Sequence, residues 1–347
     1  MRLRTSIDAH ASSAVRGAAV DGMSNGCAVH PPLLGLGRVG GLVEQWTEQQ
    51  RARLVAGFRS IVSGDPAGTP PWMRELEDGD AGYFGPGSAV WAVHGNAATL
   101  AGGIRALLVQ ALHPVAVIGV DEHSTYREDP LGRLAGTTRW LTLTTFGSRR
   151  VADRECARVR GMHRRVHGAY LDDAGAQRQY RADDERLLAW VHAAFTQSFL
   201  VCHEVFAGAV PGGGDAYVRE WAIAGELVGV RRPPHTAAEL DALVDGYEGE
   251  LGYTAATAAT ISFLRDPPLS PPAKVGYQVL FAAAASTLAE RHRRLLRLPP
   301  AGTYTARAGG RAVLAGLRVV LGEGPPAAAA ARRRLAAAGQ VAATGGG

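Results

Sequence analysis

The side chains best suited to metal or proton chemistry are histidines gathered in one section of the chain: His94, His113, His123, His163, His192 and His203. The most telling setting is that of His163, in VADRECARVRGMHRRVHGAY at residues 151–170. At 3.6 residues per turn, Val151, Val159, Met162 and Val166 form an apolar stripe with His163 at its edge. Arg160 and His167 flank it at the i−3 and i+4 positions. The spacing predicts one amphipathic helix over residues 151–170. A neutral imidazole at the border of its buried face is a good ligand for a metal ion or a haem iron. The plainer reading stands beside it. Buried histidines are usually satisfied by backbone or carboxylate partners, Arg133 and Arg160 suit a solvated surface, and Glu122-His123 suits a helix end.

Several chemistries are excluded by missing motifs. There is no GxGxxG or GxxxxGK[ST] phosphate loop and no GxSxG nucleophile elbow. His163-Arg-Arg-Val-His167 has the spacing of two zinc-binding histidines on a helix, but Arg164 stands where the general-base glutamate of HExxH belongs. No CxxCH is present for covalent haem attachment.

The elements that must position these groups read as helices. Residues 39–62 carry Leu42, Trp46, Leu54 and Phe58 on one face. A Pro- and Gly-rich connection over 64–87 holds Trp72, Tyr83 and Phe84, which implies that it packs on the core. Residues 88–112 form a strongly apolar helix with a break expected at Gly95. Its Gly102-Gly103 pair suits a place where a neighbouring backbone or a flat ligand comes close. A short apolar helix over 115–120 leads to the polar corner DEHSTYREDP. A helix over 131–146 follows, with Leu134, Leu141 and Leu143 inward, Arg133, Thr137 and Thr138 towards one end, and Gly147 as its stop. After the His163 helix and a loop over 172–180 come helices at 183–210, 215–230 and 236–251, the last with the Thr236/Glu239 spacing of a capping box. Helices at 255–264, 273–295 and 308–321 complete the pattern. No strand-rich section is read.

Composition agrees. The chain has 347 residues with 46% hydrophobic and 7% aromatic content, enough apolar matter for one large helical domain built on small side chains. We expect a disordered polar segment at 1–35, the helical domain at 36–340 and a disordered tail at 341–347. The net charge of +5 comes from scattered arginines, which argues against a nucleic-acid surface. Three cysteines without a CxxC pair, and no signal-peptide pattern, point to the cytoplasm. The apolar window 97–120 is broken by Arg105, Gln110 and His113-Pro114, so contact with membranes is expected to be at most peripheral.

One resemblance sharpens this picture. TLAGGIRALLVQALHPVAVIGVDEHSTYREDPLGRLAGT, VRGMHRRVHG and YRADDERLLAWVHAAF occur in order, and the string resembles the rubber oxygenase (latex-clearing protein) and MpaB-type oxygenase family. The resemblance implies an all-α fold with globin-like helix packing around a non-covalent b-type haem. It implies His163 as the proximal iron ligand in an Arg-x-x-His block, with Arg160 beside it on a propionate. It places Arg133 and Thr137 on the distal side, where dioxygen would bind. Glycine stands at 136 where the rubber oxygenases carry a lysine, which implies a more open distal face and argues against assuming rubber cleavage. Glu122 is the nearest candidate for a carboxylate base, and His113 and His123 are candidate distal or supporting groups. The expected reactants are dioxygen and a small apolar substrate, unsaturated or lipid-like. Two other readings stay open. One is a non-haem iron or zinc enzyme using His113, His123, His163, His192 and Glu122. The other is a haem-binding helical protein without catalysis.

Overall fold

The strongest helical signal in the sequence, the apolar run from Ser88 to Leu112, becomes two helices broken at Gly95. In the computed structural model these are α2 (Ala89–His94) and α3 (Thr99–Gln110). Ser88 caps α2 by accepting a hydrogen bond from the Trp91 amide. The residues described are 48–49, 52–53, 55–65, 69–123, 130–171, 175–300, 302–322 and 324–344. The expected N-terminal segment at 1–35 lies outside them. Residues 55–63 form α1, and residues 49–347 make one unit.

The connection before α2 packs inward, as its aromatic residues required. It holds a 3-10 turn (Pro71–Leu76), Leu76 is buried, and the Phe84 carbonyl accepts a hydrogen bond from Trp91 Nε1 at 2.9 Å. After α3 come α4 (Pro114–His123), α5 (Pro130–Phe146) and α6 (Arg149–His163). Next are α7 (Glu185–Phe206), α8 (Gly213–Val228) and α9 (Ala237–Asp245), then α10 (Ala255–Arg265) and α11 (Pro271–Ala285). The chain closes with α12 (Glu290–Leu295), α13 (Thr303–Leu321) and α14 (Pro326–Thr344). Among the described residues the domain is therefore all-α apart from one two-stranded hairpin, and its core is shared by most of these helices.

Four expectations need correction. The helix predicted over 151–170 stops at His163, and its remainder is β1 (His167–Leu171), antiparallel to β2 (Gln177–Arg181). The helix predicted over 273–295 is α11 and α12, separated at Ser286–Ala289. Residues 326–344 form a helix that the sequence pattern did not announce, and it runs into the expected tail. At 236–251 Thr236 does cap its helix, but the Glu239 carboxylate accepts from the His235 amide, so the box is incomplete. The complete capping box is Thr254/Thr257, at the start of α10.

The most extensive helix pairing is α3 on α7. A Cβ on Gly102 would lie 2.6 Å from Phe199 Cδ1 and 3.2 Å from its Cα, so only glycine permits this approach. The neighbouring Gly103 meets nothing within 4 Å. The two glycines should therefore respond oppositely to the same change. Gly102→Ala forces the helices apart and should cost about 1–3 kcal/mol. Gly103→Ala should gain about 0.5–1 kcal/mol from helix propensity alone. Urea unfolding of the two variants measures both signs.

Candidate functional site

α5 and α6 are a helical hairpin turned at Gly147-Ser148, so residues equally far from the turn lie side by side. Gly147 makes that turn tight: a Cβ there would sit 2.4 Å from the Leu143 carbonyl oxygen. The pairing is fastened midway. Glu155 is buried, takes Arg158 through both oxygens at 2.6–3.1 Å, and meets Arg139 Nε of α5 at 3.2 Å. This arrangement brings Arg133, in the first turns of α5, near His163 at the end of α6.

Among the described residues, three histidines of this section keep a buried ring nitrogen without a hydrogen-bond partner: His163 Nδ1, His192 Nε2 and His203 Nδ1. His192 is pressed against Gly225 of α8, and His203 lies in the core near His94. His163 differs from both, because it stands at a helix end with a cation beside it. Burial lowers its pKa, the nearby Arg133 cation lowers it further, and Asp183 opposes them. The ring is thus held neutral, the form that can coordinate a metal. Thr137, one turn after Arg133, donates its hydroxyl hydrogen to the Arg133 carbonyl at 3.3 Å. Among the described residues a Cβ on Gly136 would meet nothing within 4 Å, so they leave space beside Arg133 and Thr137. Leu134 and Met162, neighbours of Arg133 and His163, are 39% and 41% exposed. Both were expected to face inward; each instead leaves apolar surface at the rim of the site.

The hairpin after His163 supplies Asp183, which lies in the YRADDERLLAWVHAAF block without a site role expected for it. The Ala182 amide donates to the Val166 carbonyl, closing the hairpin and returning the chain to the end of α6. Arg181 holds Asp183 through two hydrogen bonds of 2.9 and 3.1 Å. Tyr180 is buried against Gly168 and Gly119, which seats the hairpin on α4. His167 pairs in register with Arg181 on an exposed stretch of strand, so it does not share a helical face with His163.

The remaining candidates fall elsewhere. Arg160 gives Nη1 to the Leu227 carbonyl at the end of α8, a helix-capping contact. His113 lies before α4, at the opposite end from His123. Its Nε2 is 3.5 Å from Glu250 Oε2, and its ring packs on Trp190 and Tyr247. Its ring is thus engaged by core neighbours among the described residues. Glu122 and His123 are the last residues of α4, and their side chains lie outside the described residues. His94 is fully used, by Thr145 at 2.8 Å and Tyr217 at 2.9 Å. Among the described residues no three His, Cys, Asp or Glu side chains converge as a metal cage. His113, His163 and His192 are therefore not joined in the way a non-haem centre would need.

A helical domain with a neutral imidazole at a helix end, set beside a guanidinium, is one that can offer a single protein ligand to a metal-bearing group. The model of the family described as ER-bound oxygenase mpaB/B′/rubber oxygenase, catalytic domain, matches residues 91–322, and the chain belongs to that family. It is thus an oxygenase-type domain of an iron-using family, with dioxygen and an oxidisable substrate as reactants. No curated protein and no solved structure matches the chain significantly. No helix among the described residues is long and apolar enough to cross a membrane.

Burial holds His94 down to about 3 and His192 to about 4, against an ordinary 6.5. Below pH 6.5 the unfolded chain takes up protons that these folded histidines refuse. Their contribution to stability is therefore complete above about pH 6.5 and is lost as the pH falls towards 4 and then 3. For His192 the loss is on the order of 3 kcal/mol. Melting temperatures measured from pH 7 to pH 4 should fall, and His192→Gln should flatten that fall while lowering the value at pH 7.

Proposed function

We propose that the protein is a haem b-dependent oxygenase acting on a small apolar substrate, unsaturated or lipid-like, with His163 as the proximal ligand. The observation that carries this reading is the buried Nδ1 of His163, without a partner among the described residues, on a ring that burial and Arg133 keep neutral. A lone imidazole of this kind fits a haem, which needs one protein ligand, better than a bare ion, which needs several. Globin-like packing of the helices around the group is part of the same reading.

A b-type haem would supply an iron that binds and activates dioxygen. The chain's own residues would do the rest. His163 would hold the group, with the negative charge of Asp183 acting on the imidazole and favouring proton density on the ring nitrogen away from the metal. Arg160 keeps N–H groups beyond the one given to Leu227, and these would hold a propionate. Arg133 would place a fixed positive charge where negative charge develops. Thr137 would present its oxygen lone pairs, because its hydrogen is engaged by the Arg133 carbonyl; at 3.3 Å that bond is long enough to be given up. Substrate would enter past Leu134 and Met162, since the α3–α7 seam is filled by Phe199 at Gly102. Glu122 and His123, at the end of α4, remain the proposed base and distal group. A cytoplasmic location is the companion proposal.

Absorption spectroscopy of protein purified from haem-supplemented cells tests the reading. A Soret band at one haem per chain is expected, and its absence sinks the proposal. His163→Ala should lose the band, whereas His167→Ala, on the exposed strand, should keep it. The open space at Gly136 makes a second prediction. The resting ferric protein should be high-spin and bind cyanide or imidazole readily. Gly136→Lys should shift it towards low spin and slow ligand entry, because a buried amine deprotonates and can reach the metal. A wild-type protein that is fully low-spin at neutral pH would contradict the open distal side.

A further inference from the structure

The family match covers residues 91–322, and segments on either side of it come together to form a cavity of about 560 Å³. Its walls are α1, the turn Pro71–Leu76 and the first two turns of α14. The frame is fixed from behind. Arg334 is buried and donates to the Leu76 carbonyl at 2.7 Å, and Ala327, Ala328, Ala330 and Ala331 bury one side of α14.

Charge in the cavity is one-sided. Among the described residues, Arg59, Arg74 and Arg333 line it against a single carboxylate, Glu77. Glu77 is taken by Arg333 at 3.1 Å. Arg59 and Arg74 have no ion-pair partner among the described residues, and Arg59 is half-buried. Pro325 and Pro326 open α14 at the same cavity; neither has an N–H to give, so the helix end contributes only its dipole there. Two guanidiniums free of carboxylates match a dianion, and the guanidinium fork matches phosphate oxygens. A bare phosphate would leave most of the volume empty. Met73, Pro70, Ala329 and Ala330 offer an apolar lining to an organic part of the ligand.

We propose that this cavity is a binding site for a compact organic phosphate monoester, outside the oxygenase domain and independent of the haem reading. The ligand bridges Arg59 and Arg74 with its phosphate, meets the first turn of α14, and lays its organic group on Met73. It thereby ties the chain on both sides of the catalytic domain together. Free metabolites and the headgroup of a phosphatidate lipid share this chemistry.

Thermal unfolding of the full chain, read with phenyl phosphate, benzoate and inorganic phosphate at matched ionic strength, tests the site. Phenyl phosphate should raise the melting temperature in a saturable way, inorganic phosphate less so, and benzoate hardly at all. Arg59→Gln combined with Arg74→Gln should weaken phenyl phosphate binding at least tenfold. The ligand-free melting temperature should stay unchanged, because neither arginine holds a carboxylate among the described residues. Vesicles containing phosphatidate form the second arm. Co-sedimentation that is lost in the double variant assigns the lipid as the source, and a response to phenyl phosphate alone assigns a soluble ester. No response to either, a response equal to that of benzoate, or a response undiminished in the double variant overturns the proposal. Haem content of the same samples reports on the His163 reading separately.

Discussion

The approach of α3 to α7 at Gly102 and Phe199 is the constraint on which the rest of the domain depends. With the two helices this close, few side chains fit between them, and those that do are fixed. Arg105 of α3 is buried in that seam and gives its two terminal nitrogens to α7, to Ser198 at 2.8 Å and Gln197 at 3.1 Å, while its Nε finds no partner among the described residues. A guanidinium there is costly to desolvate and would be untenable if the seam opened or slid. From α7 the order spreads outward. His192 seats α8 through the bare backbone of Gly225, and α8 in turn receives Arg160 at its C-terminal carbonyls. The helix that ends in His163 is thus positioned by a chain of contacts that begins at one glycine.

What the sequence revealed and what it hid divide along physical lines. Helices with an apolar stripe and local punctuation were legible: the break at Gly95, the stop at Gly147 and the start of α7, where Asp184 caps the helix. α14 was not, because its run of alanines has no polar contrast to give a period. The hairpin was misread for a different reason. The sequence from Val151 onward keeps helical spacing through Val166, while the partner strand Gln177–Arg181 has only Tyr180 buried and offers no alternation of apolar residues. Pairing with a later segment overrode a local pattern.

The candidate site was legible in part. Nothing in the periodicity of either segment joins His163 to Arg133; recognising residues 131–146 and the His163 segment as helices around a glycine stop does. Asp183 was invisible because only the hairpin returns it to the end of α6. His113 has a partner that local spacing does not announce. It is buried beside an apolar helix, as a ligand would be, yet Glu250, far along the chain, already faces its Nε2. A pairing that distant leaves no trace in local spacing.

The α5–α6 hairpin gives the site an angular rather than a linear tolerance. The distance from Gly147 to Arg133 is about 20 Å along the helix axis, so a tilt of ~3° at the turn moves Arg133 by roughly 1 Å relative to His163. Gly147 allows such a tilt little freedom, and Glu155 resists it halfway along the arm by holding Arg139. The brace sits where its leverage is about half that of the site. A change at Glu155 would therefore be amplified about twofold at the gap between Arg133 and His163, and the width of that gap is governed by a residue at neither edge of it.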